Sequence, residues 1–333
     1  MSNFLVTGGC GFIGSYVIDE LIAVSKNLED PDAVNIYNID KMGIGSSRDN
    51  IKTKPEAPVT NLYVDICSEH IEGYLPEGHL PNKIDYVIHL AAESHVDRSI
   101  DNPLAFVDSN VKGTANILEI VRKHDARMVH VSTDEVYGHL GKNDPPFTEE
   151  SPLAPRSPYS ATKAGSDLLV QSYIETFGIN ASITRCCNNY GPRQHDEKLI
   201  PTVVRSIVQG DLIPVYGTGE NIREWVHAED HAKAILEVLF HEDPAHLYNI
   251  PGTIELPNIR VINEIIDRME FHYPEYKRKR EGARIEYIEF VKDRKGHDFR
   301  YALSTEHSLH AVNCQGGFFL EDTIKYYVEK YRS

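Results

Sequence analysis

Short apolar runs alternate with longer amphipathic stretches along the first 185 residues. Residues 3–7, 34–39, 60–64, 84–90, 127–132 and 181–185 carry apolar side chains on consecutive positions, the pattern of strands covered on both faces. Between them, 12–25, 104–124 and 159–178 read as helices. In the last, Leu168, Leu169 and Tyr173 fall at helical spacing. This βα alternation predicts an α/β fold: a doubly wound parallel sheet of Rossmann type with right-handed crossovers. After residue 185 the pattern loosens. Pro, Gly and Asn become frequent, and shorter helices are expected near 199–209, 229–240, 258–271 and 320–331. The expected division is a cofactor-binding sheet domain over 1–185 and a smaller, mainly substrate-binding domain over 186–333. Some segments of the second are expected to return to the first.

Composition narrows the function. The 333 residues hold 34 Lys and Arg against 50 Asp and Glu, a formal charge of −16. Nucleic acid is a poor partner for such a surface, because phosphate binding depends on clustered cations. The one basic run, 277–280, reads as a solvated loop or helix end. No stretch of about 18 apolar residues occurs, so no membrane span is expected. The five cysteines, Cys10, Cys67, Cys186, Cys187 and Cys314, are odd in number and form no C-x-x-C. They predict neither a disulfide framework nor zinc, and a reduced, cytoplasmic chain is the expectation. His227 and His231 have metal-ligand spacing but lack the H-E-x-x-H order. They read as the start of a helix with Glu229 and Asp230 in its first turn, and no metal is expected.

Candidate chemistry begins where the first strand runs into Gly8-Gly9-Cys10-Gly11-Phe12-Ile13-Gly14. Glycines there allow a tight turn and a close backbone approach to a pyrophosphate, which the following helix N-terminus attracts. Asp40 closes the second strand, where a carboxylate accepts from a ribose and repels a 2′-phosphate, favouring NAD over NADP. Asp65 and Ile66 end the next strand, in position to border an adenine. Tyr159 and Lys163 share one helix face, and an ammonium beside a phenol favours the phenolate. That phenolate can take an alcohol's proton while hydride leaves its carbon. Thr133, at the end of the strand over 127–132, is placed to hydrogen-bond the reacting hydroxyl. Asp134 and Glu135 beside it exceed what alcohol oxidation requires. They suit chemistry that also removes a C–H proton and protonates a leaving hydroxyl.

Seven motifs carry a resemblance over nearly the whole chain: T-G-G-x-G-F-I-G at 7–14, H-L-A-A-E-S-H-V-D at 89–97, S-T-D-E-V-Y-G at 132–138, S-P-Y-S-A-x-K at 157–163, N-N-Y-G-P at 188–192, E-K-L-I-P at 197–201 and D-R-x-G-H-D at 293–298. With them the chain resembles the extended short-chain dehydrogenase/reductase family, and within it the nucleoside-diphosphate-glucose 4,6-dehydratases. The acid pair separates it from related epimerases. The resemblance implies a lyase using tightly held NAD on dTDP-glucose or UDP-glucose, by oxidation at C4, water elimination across C5–C6 and hydride return to C6. Tyr159 would deprotonate the 4-hydroxyl, Glu135 would serve C5, and Asp134 would protonate the C6 hydroxyl. It further implies cofactor contacts from Gly8, Gly11, Phe12, Ile13, Gly14, Asp40, Lys41, Asp65, Ile66, Leu90, Ala91, Ala92, Ser109, Tyr159, Lys163 and Asn189. Substrate contacts are implied for Ser94, Thr133, Asn188, Lys198, Leu199, Tyr216, Arg223, Asn258, Arg294, His297 and Tyr301. A homodimer through the helices near 104–124 and 159–178 is also implied. A sugar-nucleotide 4-epimerase and an inactive cofactor-binding scaffold stay open as alternatives.

Overall fold

The structure is a computed structural model that describes residues 2–26, 34–51, 59–68, 81, 83–277, 287–293, 296–305 and 320–332. Cys314 and most of the basic run at 277–280 lie outside the described residues. The apolar runs form one seven-stranded parallel sheet. It is built from β1 (Ser2–Thr7), β2 (Val34–Ile39), β3 (Val59–Leu62), β4 (Tyr86–His89), β5 (Arg127–Thr133), β6 (Ala181–Cys186) and a late strand, β10 (Leu247–Ile250). Its order is β10-β6-β5-β4-β1-β2-β3, so the direction of winding reverses between β1 and β4. Chains diverge there at the carboxyl ends of the strands and leave a crevice, which is where ligands bind in such sheets. Leu5, Val87, Ile88, Met128, Val129 and Ile183 are all fully buried, as the consecutive apolar positions require.

Helices cover both faces. α1 (Phe12–Lys26) follows the glycine turn. α2 (Val96–Asp101) and α3 (Pro103–Phe106) lead into α4 (Gly113–His124), and α5 (Pro158–Phe177) packs beside them. The segment expected as one helix over 104–124 is thus interrupted by a π turn at Val107–Lys112. Such turns are rare and cluster at functional sites. α5 starts where it does because Ser157 and Ser160 cap one another reciprocally and Pro158 fits the first turn. It ends at Gly178, whose φ of 66° suits glycine.

Beyond β6 the chain makes two smaller sheets. β7 (Asn188–Tyr190), β9 (Ile222–His227) and β11 (Ile254–Pro257) form one, with β11 antiparallel to β9. β8 (Ile213–Tyr216) and β12 (Ile288–Val291) form the other. α6 (Leu199–Gln209), α8 (Asn258–His272) and α9 (Glu321–Arg332) pack together over them around Val203, Ile262 and Tyr327. α7 (Ala228–Phe240) instead lies on α1, and β10 completes the large sheet beside β6. Residues 228–250 therefore rejoin the first layer.

Under β5 and β6 runs a buried polar network. Arg185 donates through Nε to Asp167 Oδ2 at 2.9 Å, and its guanidinium lies 4.7 Å from the Tyr137 ring centroid. His130 Nε2 is 3.4 Å from Asp167 Oδ1 and 3.1 Å from Ser166 Oγ. Arg185 and Asp167 are sealed from solvent, so the pair must be complete to be tolerated. Replacing Arg185 by Leu strands the Asp167 charge and is expected to cost about 3–5 kcal/mol of unfolding free energy. Urea unfolding of Arg185→Leu measures this; a loss below about 1 kcal/mol would show that the pair does not hold the core.

Candidate active site

At the winding reversal, β1 ends at Thr7 and the glycine turn begins. Gly8 has φ 75°, and a Cβ on it would lie 2.8 Å from the Ala91 nitrogen. A Cβ on Gly14 would run into the Gly8 carbonyl and lie 2.8 Å from Gly9 Cα. Side chains are thus excluded where the turn meets β4 and where α1 packs on it. Around Gly11 the space is open except for the Gly8 carbonyl at 3.1 Å, so a ligand can approach the backbone. α1 presents the free amides of its first turn to that space.

Asp40 is buried behind the turn. Its Oδ2 accepts from Cys10 N–H at 2.9 Å and its Oδ1 from Met42 N–H at 2.8 Å. Ser46 Oγ also donates to Oδ2, at 3.4 Å, so the carboxylate is fixed in orientation and Oδ1 keeps a lone pair for a ribose hydroxyl. Lys41 turns away to Glu93, at 2.9 Å, and Asp65, at 3.9 Å. Ile66 forms part of the cavity wall, with Val64, whereas Asp65, expected to border the adenine, does not line it. The turn, the carboxylate and the helix N-terminus fit a dinucleotide that carries a free 2′-hydroxyl.

One cavity gathers most of the residues expected from the sequence. Gly8, Gly11, Phe12, Ile13, Gly14, Asp40, Lys41, Ile66, Leu90, Ala91, Ala92, Ser109 and Asn189 line it, together with Thr133, Asp134, Glu135, Tyr159 and Lys163. Ser94, Asn188 and Lys198 line its other side, and Lys198 Nζ reaches the Ser94 carbonyl at 3.4 Å.

β5 delivers the acid pair. Thr133 is extended and caps a short 3₁₀ turn over Asp134–Tyr137, its Oγ1 accepting from Glu135 N–H at 3.3 Å and donating to Asp134 Oδ1 at 3.2 Å. Asp134 is 2% exposed, and its Oδ2 has no partner among the described residues. Burial, reinforced by Glu135, Cys186 and Glu224 and opposed by Arg223, pushes its carboxyl well above the usual carboxylate range. Its protonated form is thereby favoured relative to that of an exposed carboxyl.

Tyr159 and Lys163 share a face of α5, as their spacing requires. Their expected coupling is not what the structure holds. Lys163 Nζ donates to the Val131 carbonyl at 2.9 Å. Burial brings Lys163 down to about 8, with Asp167 opposing. The Tyr159 phenol is pushed above its ordinary value by burial and then by Glu135, while a hydrogen bond with the Thr133 side chain opposes the shift. Desolvation of both groups outweighs the attraction that spacing suggested.

The remaining expected substrate residues stand off the cavity wall. Leu199 begins α6 directly after Lys198. Arg223 is buried, with its guanidinium 4.5 Å from the Tyr301 ring centroid, and donates to the carbonyls of Ile222, Asp298 and Phe299. Tyr301 hydrogen-bonds Asp298, and the charge of Glu135 acts on its phenol. Tyr216 and His297 have ring centroids 6.3 Å apart, and His297 Nδ1 is 2.7 Å from Asp293 Oδ1. Asn258 opens α8 and donates from its backbone to Asn221. Arg294 lies outside the described residues. His227 caps α7, with Nδ1 accepting from Glu229 N–H at 3.3 Å, and His231 Nδ1 meets Asn189 Oδ1 at 2.9 Å.

Three groups went unread in the sequence. Asn110, in the π turn, accepts from Glu93 N–H at 2.8 Å and donates to the Glu93 carbonyl and Thr162 Oγ1, both at 3.0 Å. It braces the loop after β4 against α5. Its signal was a polar residue on the buried face that carries Phe106, Ile117 and Val121. Cys186, Cys187 and His231 also line the cavity. So do His95 and His195, whose ring nitrogens lie 3.3 Å apart with Glu197 alongside. Arg98 already engages Glu197, at 2.5 Å, and Lys198 adds a second cation to that group, so it reads as a hydrogen-bonded cluster.

Sequence comparison now bears on this geometry. The family profile described as GDP-mannose 4,6 dehydratase matches residues 5–312. The chain belongs to this family. It is 39% identical to dTDP-glucose 4,6-dehydratase 1 of Escherichia coli K12 over 99% of this chain and 93% of that protein. It is 40% identical to the low-salt glycan biosynthesis protein Agl12 of Haloferax volcanii, over 99% and 98%. Among solved structures, the dTDP-glucose 4,6-dehydratase DesIV of Streptomyces venezuelae with NAD bound superposes with TM-score 0.86 and 38% identity, covering 98% of this chain and 97% of that one. A UDP-glucose 4-epimerase of Thermotoga maritima reaches TM-score 0.80 at 23% identity, covering 99% and 98%, which shows a shared fold.

Burial of Lys163 has a measurable consequence in the cofactor-free protein. Its folded pKa of about 8 lies below the unfolded value near 10.4, so between them the unfolded chain binds more protons. Stability contributed by this site therefore rises as pH increases through that window, by at most about 3 kcal/mol. Guanidinium unfolding of the native protein and of Lys163→Met at pH 7 and pH 10 should show that gain only in the native protein. An equal response in both would mean that Lys163 is not desolvated.

Proposed function

We propose that this chain catalyses NAD-dependent 4,6-dehydration of a nucleoside-diphosphate-glucose, giving the 4-keto-6-deoxy sugar nucleotide. It is a hydro-lyase. The observation that carries this reading is the buried Asp134, its carboxyl held above the usual carboxylate range, next to Glu135 in the same cavity as Tyr159 and Lys163. Bound NAD supplies the chemistry of taking hydride from C4 and returning it to C6. Tyr159 accepts the proton of the 4-hydroxyl, which Thr133 orients; in the cofactor-free protein burial and Glu135 hold the phenol up, and the positive charge of bound NAD would act in the opposite direction, favouring the phenolate. The resulting ketone acidifies C5–H, and Glu135 removes that proton. Asp134 gives its proton to the C6 hydroxyl, which leaves as water, and Glu135 reprotonates C5. Gly8, Gly11 and Gly14 with the first turn of α1 seat the pyrophosphate, and Asp40 takes the adenosine ribose. Residues 186–333 supply most sugar-nucleotide contacts, with Ser94, Asn188 and Lys198 nearest the reacting sugar and Arg223 and Tyr301 behind them. An epimerase has no use for the acid pair, and an inactive scaffold has no use for an intact Tyr159 and Lys163.

The relatives named as dTDP-glucose dehydratases make dTDP-glucose the first substrate to assay, with UDP-glucose beside it. Mass spectrometry should detect loss of one water with NAD as the released nucleotide. Glu135→Gln should lower the product rate by about 10²–10⁴-fold while leaving nucleotide binding intact. A 4-epimer as product, or a Glu135→Gln variant near the native rate, would sink this reading.

A homodimer fits the exposed apolar side chains on the helices expected to form it. Leu104 is 73% and Leu168 54% exposed, with Ile100 and Val107 nearby in the chain. A charged Leu104→Glu/Leu168→Glu variant should run as a monomer in sedimentation, and an unchanged dimer would place the interface elsewhere. No helix among the described residues is long and apolar enough to cross a membrane, and a cytoplasmic location is consistent with free thiols at Cys10, Cys67, Cys186 and Cys187.

A further inference from the structure

The hydrogen-bonded cluster of His95, His195 and Glu197 has a second property in its geometry. His95 Nε2, His195 Nδ1 and Glu197 Oε2 form a triangle with sides of 3.3, 3.6 and 3.8 Å. The circumradius of that triangle is about 2.1 Å, so one point lies at this distance from all three atoms. Zinc binds imidazole nitrogen at about 2.0–2.1 Å and carboxylate oxygen at about 2.0–2.2 Å. An ion in or just off the plane of the three atoms therefore meets each of them at bonding distance.

The corners come from two loops a hundred residues apart, so no spacing in the sequence announces them. His95 precedes α2, and its side chain makes no capping hydrogen bond there. His195 and Glu197 lie in the loop that leads into α6, where Lys198 N–H donates to the His195 carbonyl at 3.0 Å and closes a turn. α9 fixes that loop: Tyr327 donates to the Gln194 carbonyl at 2.8 Å, and Tyr331 to Asp196 Oδ1 at 2.6 Å. Residues 194 and 196 are thus committed to α9, while 195 and 197 meet His95.

Protonation suits a metal. Burial takes the His95 imidazole down to about 4 and also lowers His195, so both rings are neutral at neutral pH. A hydrogen bond from Arg98 holds Glu197 below the usual carboxylate range. Between two neutral rings one nitrogen carries the shared hydrogen. A metal needs a lone pair on both, which a tautomer change in one ring supplies without loss of a proton. Arg98 donates to Glu197 Oε1 at 2.5 Å and so orients the carboxylate, as outer partners of metal ligands do. Its contact with Oε2, and that of Glu197 N–H with His195 Nδ1, are long at 3.4 Å and are the ones an ion replaces. The charges of Arg98 and Lys198 oppose a cation. They favour a metal held by bonds to imidazole over Mg²⁺ or Ca²⁺, which take oxygen ligands.

We propose that His95 Nε2, His195 Nδ1 and Glu197 Oε2 bind one zinc ion, with its fourth position open to the cavity that both histidines line. Two histidines and a glutamate are a donor set on which zinc keeps an open position. The ion pins the loop after β4 to the loop before α6, beside Ser94 and Lys198 on the substrate side of the cavity. This site is independent of the dehydratase reading.

The test uses tag-free protein with its cofactor, stripped by a chelator and dialysed against micromolar zinc with millimolar magnesium present. Native protein should retain zinc, and His195→Ala or Glu197→Gln should weaken that retention by at least about 10-fold. Cobalt in place of zinc should give a visible spectrum without the near-ultraviolet band of thiolate coordination, which separates this site from the cysteines. If the variants do not fold, zinc-edge X-ray absorption of native protein reads the ligands directly. It should show nitrogen and oxygen at about 2.0–2.2 Å, an imidazole signature and no sulfur. No retained zinc, retention unchanged in both variants, or sulfur in the coordination shell would overturn the proposal. Failure of the proposed function looks different, since zinc retention is read without turnover and missing dehydration product leaves it untouched.

Discussion

Asp134 lies at the carboxyl end of β5 with one oxygen on Thr133, the other without a partner among the described residues, and Glu135 next in the chain. A carboxylate in that position is penalised twice, by lost solvation and by a like charge, so the group stays an acid. Much of the surrounding structure maintains that condition. β5 is buried on both faces, the π turn and Asn110 hold the loop after β4 against α5, and Glu224 sits near enough to add to the repulsion. The end of β5 thus places a buried acid directly beside a partly exposed one.

The fold alone does not choose this chemistry. An epimerase with 23% identity shares the architecture over nearly the full chain. In the proposed mechanism the glycine turn, Asp40 and the Tyr159–Lys163 helix face serve only the reversible oxidation of an alcohol. What adds dehydration is local. In the proposed mechanism the two acids of the 3₁₀ turn over Asp134–Tyr137 are the base for C5 and the acid for C6. The specificity of the reaction therefore rests on a few side chains whose protonation depends on packing, and much less on how the strands are wound.

Legibility from sequence followed the range of the interactions. Strands at 3–7, 34–39 and 127–132 were readable because burial on both faces writes consecutive apolar residues. The glycine turn was readable because only backbone conformation and close approach demand glycine at 8 and 14. Tyr159 and Lys163 were placed together by helical spacing. Their electrostatics were not, because desolvation depends on what covers them: Lys163 finds the Val131 carbonyl across the sheet. The break in the helix over 104–124 is marked only by Gly113 at the end of the π turn, a single glycine that a continuous helix also tolerates, and β10 was missed because its partner lies about sixty residues earlier. Arg223 was expected among the substrate contacts, yet its donors turn to three carbonyls. No local pattern reports such a commitment.

The late arrival of β10 also bears on how the chain can be made. Residues up to 186 contain six strands of the large sheet, but β6 keeps a bare edge until Leu247–Ile250 emerges, when roughly three-quarters of the chain has been synthesised. Through that interval β6 offers unpaired backbone groups along one side of a parallel strand, the kind of edge that recruits other chains. α7 reaches α1 in the same stretch, so the edge strand and its covering helix come together. The cofactor half of this enzyme is consequently not a unit that can mature ahead of the rest. A ribosome pausing between β6 and β10 would hold out an adhesive sheet, and the small sheets that intervene set how long it stays so.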